Sequence, residues 1–257
     1  MTPTPYVAEF VGTALLVLLG DGVVANVVLR GTKGNNSGWI VITWGWAIAV
    51  FVGVFATATY GKGHLNPAVT IGLAVAEKLP WSDVPGFIVA QMLGAMFGAT
   101  LVWLQYHSHW SLTEDNDAKL AVFCTGPAVR NAPLNVISEV IGTFVLVFGA
   151  LYLATPSLAG PDGAEGGLGS IAALPVALLV LSIGLSLGGS TGYAINPARD
   201  LGPRIMHALL PIPGGKRDSD WGYAWVPVVG PILGGIVAAL AYHALGGGLV
   251  ELSGATA

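Results

Sequence analysis

Glu9-Phe10-Val11-Gly12-Thr13 recurs as Glu139-Val140-Ile141-Gly142-Thr143, and Asn66-Pro67-Ala68 recurs as Asn196-Pro197-Ala198, both at an offset of 130 residues. Two elements sharing one offset mark the chain as an internal duplication. Whatever structure one half adopts, the other must adopt too. In each copy the asparagine lies 57 residues beyond the glutamate, so acid and tripeptide belong to one repeated unit.

The medium of that unit follows from its charges. With 54% hydrophobic and 9% charged residues, the chain cannot coat a water-facing surface, which places it in a membrane. Neutral stretches separate the charges: 28 residues between Lys33 and Lys62, 30 between Asp83 and Glu114, and three more between Glu139 and Asp162, Glu165 and Arg199, and Asp220 and Glu251. About 20 apolar residues cross the hydrocarbon as a helix. A sixth span, Tyr6 to Leu29, is interrupted only by Glu9 and Asp21, and its match in the second half supports it. The first span lacks the basic flank of a cleaved signal and is expected to be retained. Net charge of −4 offers no field for nucleic acid, and the single cysteine, Cys124, has no partner for an intrachain disulfide.

The expected spans are Tyr6 to Leu29, Trp39 to Tyr60 and Val84 to Gln105, then Leu134 to Ala154, Leu168 to Leu187 and Tyr223 to Leu245. The chain thus reads as one channel domain, 1–257, with repeats over 6–105 and 133–246 joined by a connector over 106–132. Three spans per repeat is an odd number, so the second repeat starts on the opposite side of the bilayer and the repeats are inverted. The short apolar segments after each tripeptide, Val69 to Ala76 and Leu201 to Leu210, cannot span. Asn is a favoured N-cap and Pro a favoured first helical residue, so each tripeptide starts a re-entrant half-helix. The fold class is all-α: six transmembrane helices and two half-helices. The irregular backbone ahead of each half-helix survives at membrane depth only against a wet cavity, which implies a pore. Gly94 with Gly98, and Gly230 with Gly234, are spaced for close helix packing. The connector, Ser108 to Asn131, carries Glu114, Asp115, Asp117, Lys119 and Arg130 and reads as a solvated loop.

At each half-helix start the Asn oxygen can cap backbone N–H groups, leaving its NH₂ to donate into the lumen. Asn66 and Asn196 become two central donors. A water between them can only accept, which breaks a proton wire, and the positive ends of two helix dipoles repel cations there. Backbone carbonyls of Lys62, Gly63 and His64, and of Gly192, Tyr193 and Ala194, would form acceptor ladders leading to those donors.

Two Asn-Pro-Ala boxes in inverted three-span repeats resemble the aquaporin family across nearly the whole chain. Asn196-Pro197-Ala198-Arg199-Asp200 followed by Arg204, with Pro227-Val228 ahead of Gly230-Pro231, is similar to its glycerol-conducting branch. The resemblance makes Asp200, Arg204, Pro227 and Val228 branch markers and implies a selectivity filter of Trp46, Gly184, Tyr193 and Arg199. Such a filter suits a polyol, whose CH groups lie on aromatic rings while its hydroxyls bond to the guanidinium. Gly184 stands where water-selective members place a histidine, which leaves room. Similar glycerol channels carry Phe at the place of Tyr193. Glu9 and Glu139 are implied to brace the re-entrant loops. The family also implies homotetramers in the plasma membrane with cytoplasmic termini, although a count of loop cations runs the other way. Passive conduction of glycerol and water, with urea, dihydroxyacetone or undissociated small acids as further neutral solutes, is the implied function. A water-selective channel or a coupled transporter are the alternatives.

No nucleophile, base and orienting group recur in a plausible constellation, so no enzyme is expected. No cofactor is implied and no metal-ligand spacing is present. Asp21 has no acidic counterpart, Leu151 standing at the equivalent position, and is expected to reach the outer interface or bond within the bundle.

Overall fold

The computed structural model describes residues 4–61, 63–153, 157–159, 165–167 and 169–247. Lys62, and the expected span ends Ala154 and Leu168, lie outside them.

Helix α1, Pro5–Val28, begins at an N-cap where Thr4 accepts from the Val7 amide, with Pro5 in the first turn. It is followed by α2, Trp39–Thr57, the short α3, Pro67–Val75, and α4, Val84–Gln105. The connector holds α5, His107–Trp110, and α6, Asn116–Phe123. The second repeat consists of α7, Ala132–Tyr152, α8, Leu174–Ser186 with a 3-10 turn before it, the half-helix α9, Pro197–Leu209, and α10, Val226–Ala244. Six of these are long and apolar enough to cross a membrane among the described residues. The one departure from all-helical structure there is a small antiparallel ribbon, β1 (Ser157–Ala159) paired with β2 (Glu165–Gly167), inside the Gly/Pro-rich loop before α8.

Helix pairing repeats with the sequence. The α1–α4 and α7–α10 contacts are the most extensive, and glycine makes both possible. A Cβ on Gly94 would fall 2.3 Å from the Phe10 carbonyl oxygen and 3.1 Å from Thr13 Cβ; on Gly234 it would fall 2.5 Å from the Val140 oxygen and 2.9 Å from Thr143 Cβ. Residues 10 and 13 are the 130-residue equivalents of 140 and 143, so the same backbone approach is built twice.

The connector is not the solvated loop its charges suggest. Trp110, Lys119, Val122 and Phe123 are fully buried, and α6 packs on α1 and α9. Trp110 stacks on Phe123 at 5.6 Å, and Lys119 donates to the carbonyls of Pro213 and Gly215. The apolar side of the connector packs against α1 and α9, while Glu114 and Asp115 stay exposed.

Candidate functional site

The half-helices α3 and α9 start at Asn66 and Asn196, both in extended conformation. Asn66 Oδ1 accepts from the Ala68 amide at 2.9 Å; Asn196 Oδ1 accepts from Ala198 at 3.0 Å and Arg199 at 3.2 Å. The amide groups are less free than the sequence suggests. Asn66 Nδ2 donates to the Ile195 carbonyl and Asn196 Nδ2 to the Leu65 carbonyl, each at 2.8 Å. An amide nitrogen carries two N–H donors, so one ties the repeats together and one remains for the lumen. The reason is geometric: the two helix starts meet tip to tip, and each Asn lies against the last loop carbonyl of the opposite repeat.

Ahead of each half-helix the backbone alternates in handedness. Gly63 and Leu65 have φ of 62° and 52°; their equivalents Tyr193 and Ile195 have 40° and 43°. Such alternation turns successive N–H groups to one side, a concavity that binds anions. Here the anion is a side chain. Glu9 accepts from the His64 and Leu65 amides at 2.8 and 2.7 Å and from Gln91 Nε2 at 2.7 Å. Glu139 accepts from the Ala194 and Ile195 amides at 3.0 and 2.8 Å and from Thr191 Oγ1 at 2.7 Å. In a planar trans peptide the preceding carbonyl points opposite to the N–H. The carbonyls of Gly63, His64, Tyr193 and Ala194 therefore point away from the carboxylates, and all four residues line the central cavity. Gly192 does not line it.

Holding bulky residues at positive φ costs roughly 1–3 kcal/mol each. Two amide bonds per carboxylate offset that cost. Gln91 and Thr191 are the third partners, and neither is apparent from the repeat, because they occupy unrelated positions. Gln91 does betray itself as a lone amide within an apolar span. It also donates to Thr70 Oγ1, which contacts His64 Nδ1 at 3.2 Å and holds the imidazole behind the loop.

The cavity has a volume of about 280 Å³ and a mixed lining. Residues 63–66 and 193–196 contribute loop backbone and the two asparagines. Leu16, Val50, Val54, Val69, Leu146 and Val180 contribute aliphatic side chains. Trp46, Tyr193 and Arg199 also line it, with the Arg199 guanidinium 3.9 Å from the Trp46 ring centroid. Trp46 is buried, whereas Trp44 faces outward. Gly20 seats the Trp46 ring: a Cβ there would lie 2.2 Å from Cζ3.

Gly184 does not line the cavity; the room it leaves is filled. A Cβ at that position would stand 2.9 Å from Tyr193 Cζ, so the tyrosine ring occupies the space. Trp39 meets that ring edge-on at 5.8 Å and anchors its own indole N–H on the Gly184 carbonyl at 3.1 Å. Tyr193 Oη has no hydrogen-bond partner among the described residues.

Away from the cavity, Asp200 and Arg204 form a buried ion pair at 2.8 Å. Asp200 Oδ2 accepts from the Thr125 amide and hydroxyl at 2.7 Å each, and Arg204 donates to the carbonyls of Thr125 and Ser219. These two markers thus fasten α9 to the connector and to the loop before α10, outside the cavity wall. Pro227 and Val228, at the start of α10, do not line it either. Asp21, expected at the outer interface or within the bundle, is fully buried in the bundle with Oδ1 3.4 Å from Arg199 Nη1.

Residues 3–242 match the family model described as Major intrinsic protein. A "Probable glycerol uptake facilitator protein" of Thermotoga maritima is 60% identical over 238 residues, 93% of this chain and 97% of that relative. A "Glycerol uptake facilitator protein" of Streptococcus pneumoniae is 54% identical over 234 residues, covering 91% and 96%. Among solved structures, the X-ray structure of the aquaglyceroporin from Plasmodium falciparum superposes with a TM-score of 0.81 at 30% identity, over 96% of this chain and 98% of that one.

Proposed function

Because the chain belongs to the major intrinsic protein family, we propose that its cavity is a passive conduit for glycerol and other small neutral solutes, with some water, closed to protons and ions. The observation that carries the reading is the mixed lining of one cavity, loop residues whose carbonyls turn away from Glu9 and Glu139 together with aliphatic side chains. A polyol presents the same two chemistries. Its hydroxyls follow the ladder of Gly63, His64, Tyr193 and Ala194, and its CH groups slide over Val50, Leu146 and their neighbours.

Trp46, Tyr193 and Arg199 serve as the selectivity filter, with Gly184 acting through the tyrosine ring it accommodates. Asn66 and Asn196 each retain one lumenal donor, so a water at the centre accepts from both and cannot pass a proton along. Urea, dihydroxyacetone and undissociated small acids share the required neutrality and size class. The assembly is a homotetramer in the cell membrane, each protomer with its own pore and its termini in the cytoplasm, as family membership suggests.

Light scattering of reconstituted vesicles tests the conduit. A glycerol gradient should give fast shrinkage followed by recovery as glycerol enters, and an impermeant osmolyte should give shrinkage alone. Water flux without glycerol recovery would transfer the protein to the water-selective class, and uptake driven by a proton gradient would make it a transporter.

Tyr193→Phe is a finer probe. Removing a buried hydroxyl that has no hydrogen-bond partner among the described residues leaves the ring in its seat and takes a polar atom from the cavity wall. The ratio of glycerol to water permeability should change by about two- to fivefold, on the scale of one modest hydrogen bond. An unchanged ratio means the hydroxyl plays no part in solute choice.

A further inference from the structure

Arg199 and Asp21 are both departures from the duplication. The equivalent of Arg199 in the first repeat is Val69, and the equivalent of Asp21 in the second is Leu151. These two one-sided charges, 178 positions apart in the chain, meet in the bundle at 3.4 Å. Both are buried.

Among the described residues Asp21 is the one acid within ion-pair distance of Arg199. Asp200 adjoins it in sequence, but Oδ1 is engaged by Arg204 Nε and Nη2 and Oδ2 by Thr125. Glu139 forms no ion pair with Arg199 among the described residues; its oxygens accept from the loop. The N-termini of α3 and α9 add further positive potential to the cavity wall. With Arg199 alone the lumen would be strongly electropositive, and a poorly solvated site of one sign draws in ions of the other. Repelling cations would then come at the expense of admitting anions.

We propose that Asp21 is a specificity-determining counter-charge: it cancels Arg199 and holds the guanidinium over the Trp46 ring, so that the constriction selects solutes by hydrogen bonding and rejects small anions. Arg199 has five N–H donors, of which Asp21 engages one among the described residues. Donors remain for a hydroxyl, without the field that would hold a nitrate or a carboxylate. Asp21 is a positioning residue, since the cavity is lined by Arg199 and not by Asp21. The proposal rests on the reading of Arg199 as a filter residue.

The test uses vesicles containing the full-length protein. Glycerol permeability is read by light scattering, and nitrate permeability by swelling in potassium nitrate with valinomycin supplying the cation path. Wild type should pass glycerol and hold nitrate at the protein-free background; failure of that glycerol arm alone counts against the channel reading and not against Asp21. Asp21→Asn and Asp21→Val should each raise nitrate permeability at least tenfold above the protein-free background while still conducting glycerol. Asp21→Asn combined with Arg199→Val carries no uncompensated charge and should return nitrate flux to background. Insertion of the double variant where Asp21→Asn alone fails to insert would also support the pairing. Nitrate held at background in the single variants, whether or not glycerol flux falls, nitrate leakage by wild type, or failure of single and double variants alike to insert overturns it.

Discussion

Glu139→Leu is expected to abolish glycerol conduction and to destabilise the protein more than any single change at the cavity surface. Leucine fills a similar volume but accepts nothing, so the Ala194 and Ile195 amides and the Thr191 hydroxyl lose their acceptor in a buried site. Each orphaned donor costs roughly 1–3 kcal/mol. The positive φ of Tyr193 and Ile195 also loses what holds it. The loop then relaxes toward ordinary backbone angles, its carbonyls swing out of line, and the ladder is broken. Glycerol permeability should fall at least tenfold, to the protein-free background. The thermal transition in detergent should drop by about 10 °C, as several kcal/mol implies for a chain of this size. Glu139→Gln keeps one acceptor oxygen but turns an NH₂ toward the remaining amide, so it should fall between. Permeability within twofold of wild type in Glu139→Leu would remove the bracing role altogether.

Gly184→His is expected to convert the solute preference. The new Cβ would stand 2.9 Å from Tyr193 Cζ and 3.1 Å from Cε2, with Thr43 Cγ2 at 3.1 Å on another side. The ring cannot retreat, because Gly188 already admits it so closely that a Cβ there would meet Cδ1 at 2.5 Å, and Trp39 closes its edge. The remaining direction is into the lumen. Glycerol permeability should fall tenfold or more, about 1.4 kcal/mol of added barrier, while water permeability falls by less than threefold. Gly184→Ala should give a smaller loss of the same sign. Combining Gly184→His with Tyr193→Ala empties the ring's seat and should restore glycerol flux; if it does not, the constriction is set by something other than this ring.

The parts of the fold that the chain states twice were the legible ones. The 130-residue offset locates the half-helix starts and the paired acids Glu9 and Glu139, because a duplicated motif with a physical rationale leaves few alternatives, while the close-packed glycines show by their own four-residue spacing. What stands only once was harder. Gln91, Thr191 and Thr125 act through tertiary contacts between residues 21 to 82 positions apart, with no spacing rule to expose them. Asp21 was visible as an intramembrane acid, but its partner lies 178 positions away. Charge density misled for the connector, where a few exposed acids conceal a buried Trp110, Val122 and Phe123. In the sequence Gly184 implies open space, because a sequence shows that a side chain is missing and not which neighbour fills the gap.

The crossed amide bonds between Asn66 and Ile195 and between Asn196 and Leu65 bear on how the molecule is made. The partners are 129 and 131 residues apart, one in each repeat. While the first repeat is already in the bilayer and the second is still being synthesised, the Leu65 carbonyl and one Asn66 N–H lack these partners in a place where unmet polar groups are expensive. The first half is thus an unfinished surface that only its twin completes. Insertion of the second half-helix satisfies both sides at once, so the centre of the cavity cannot be completed until both repeats are in place.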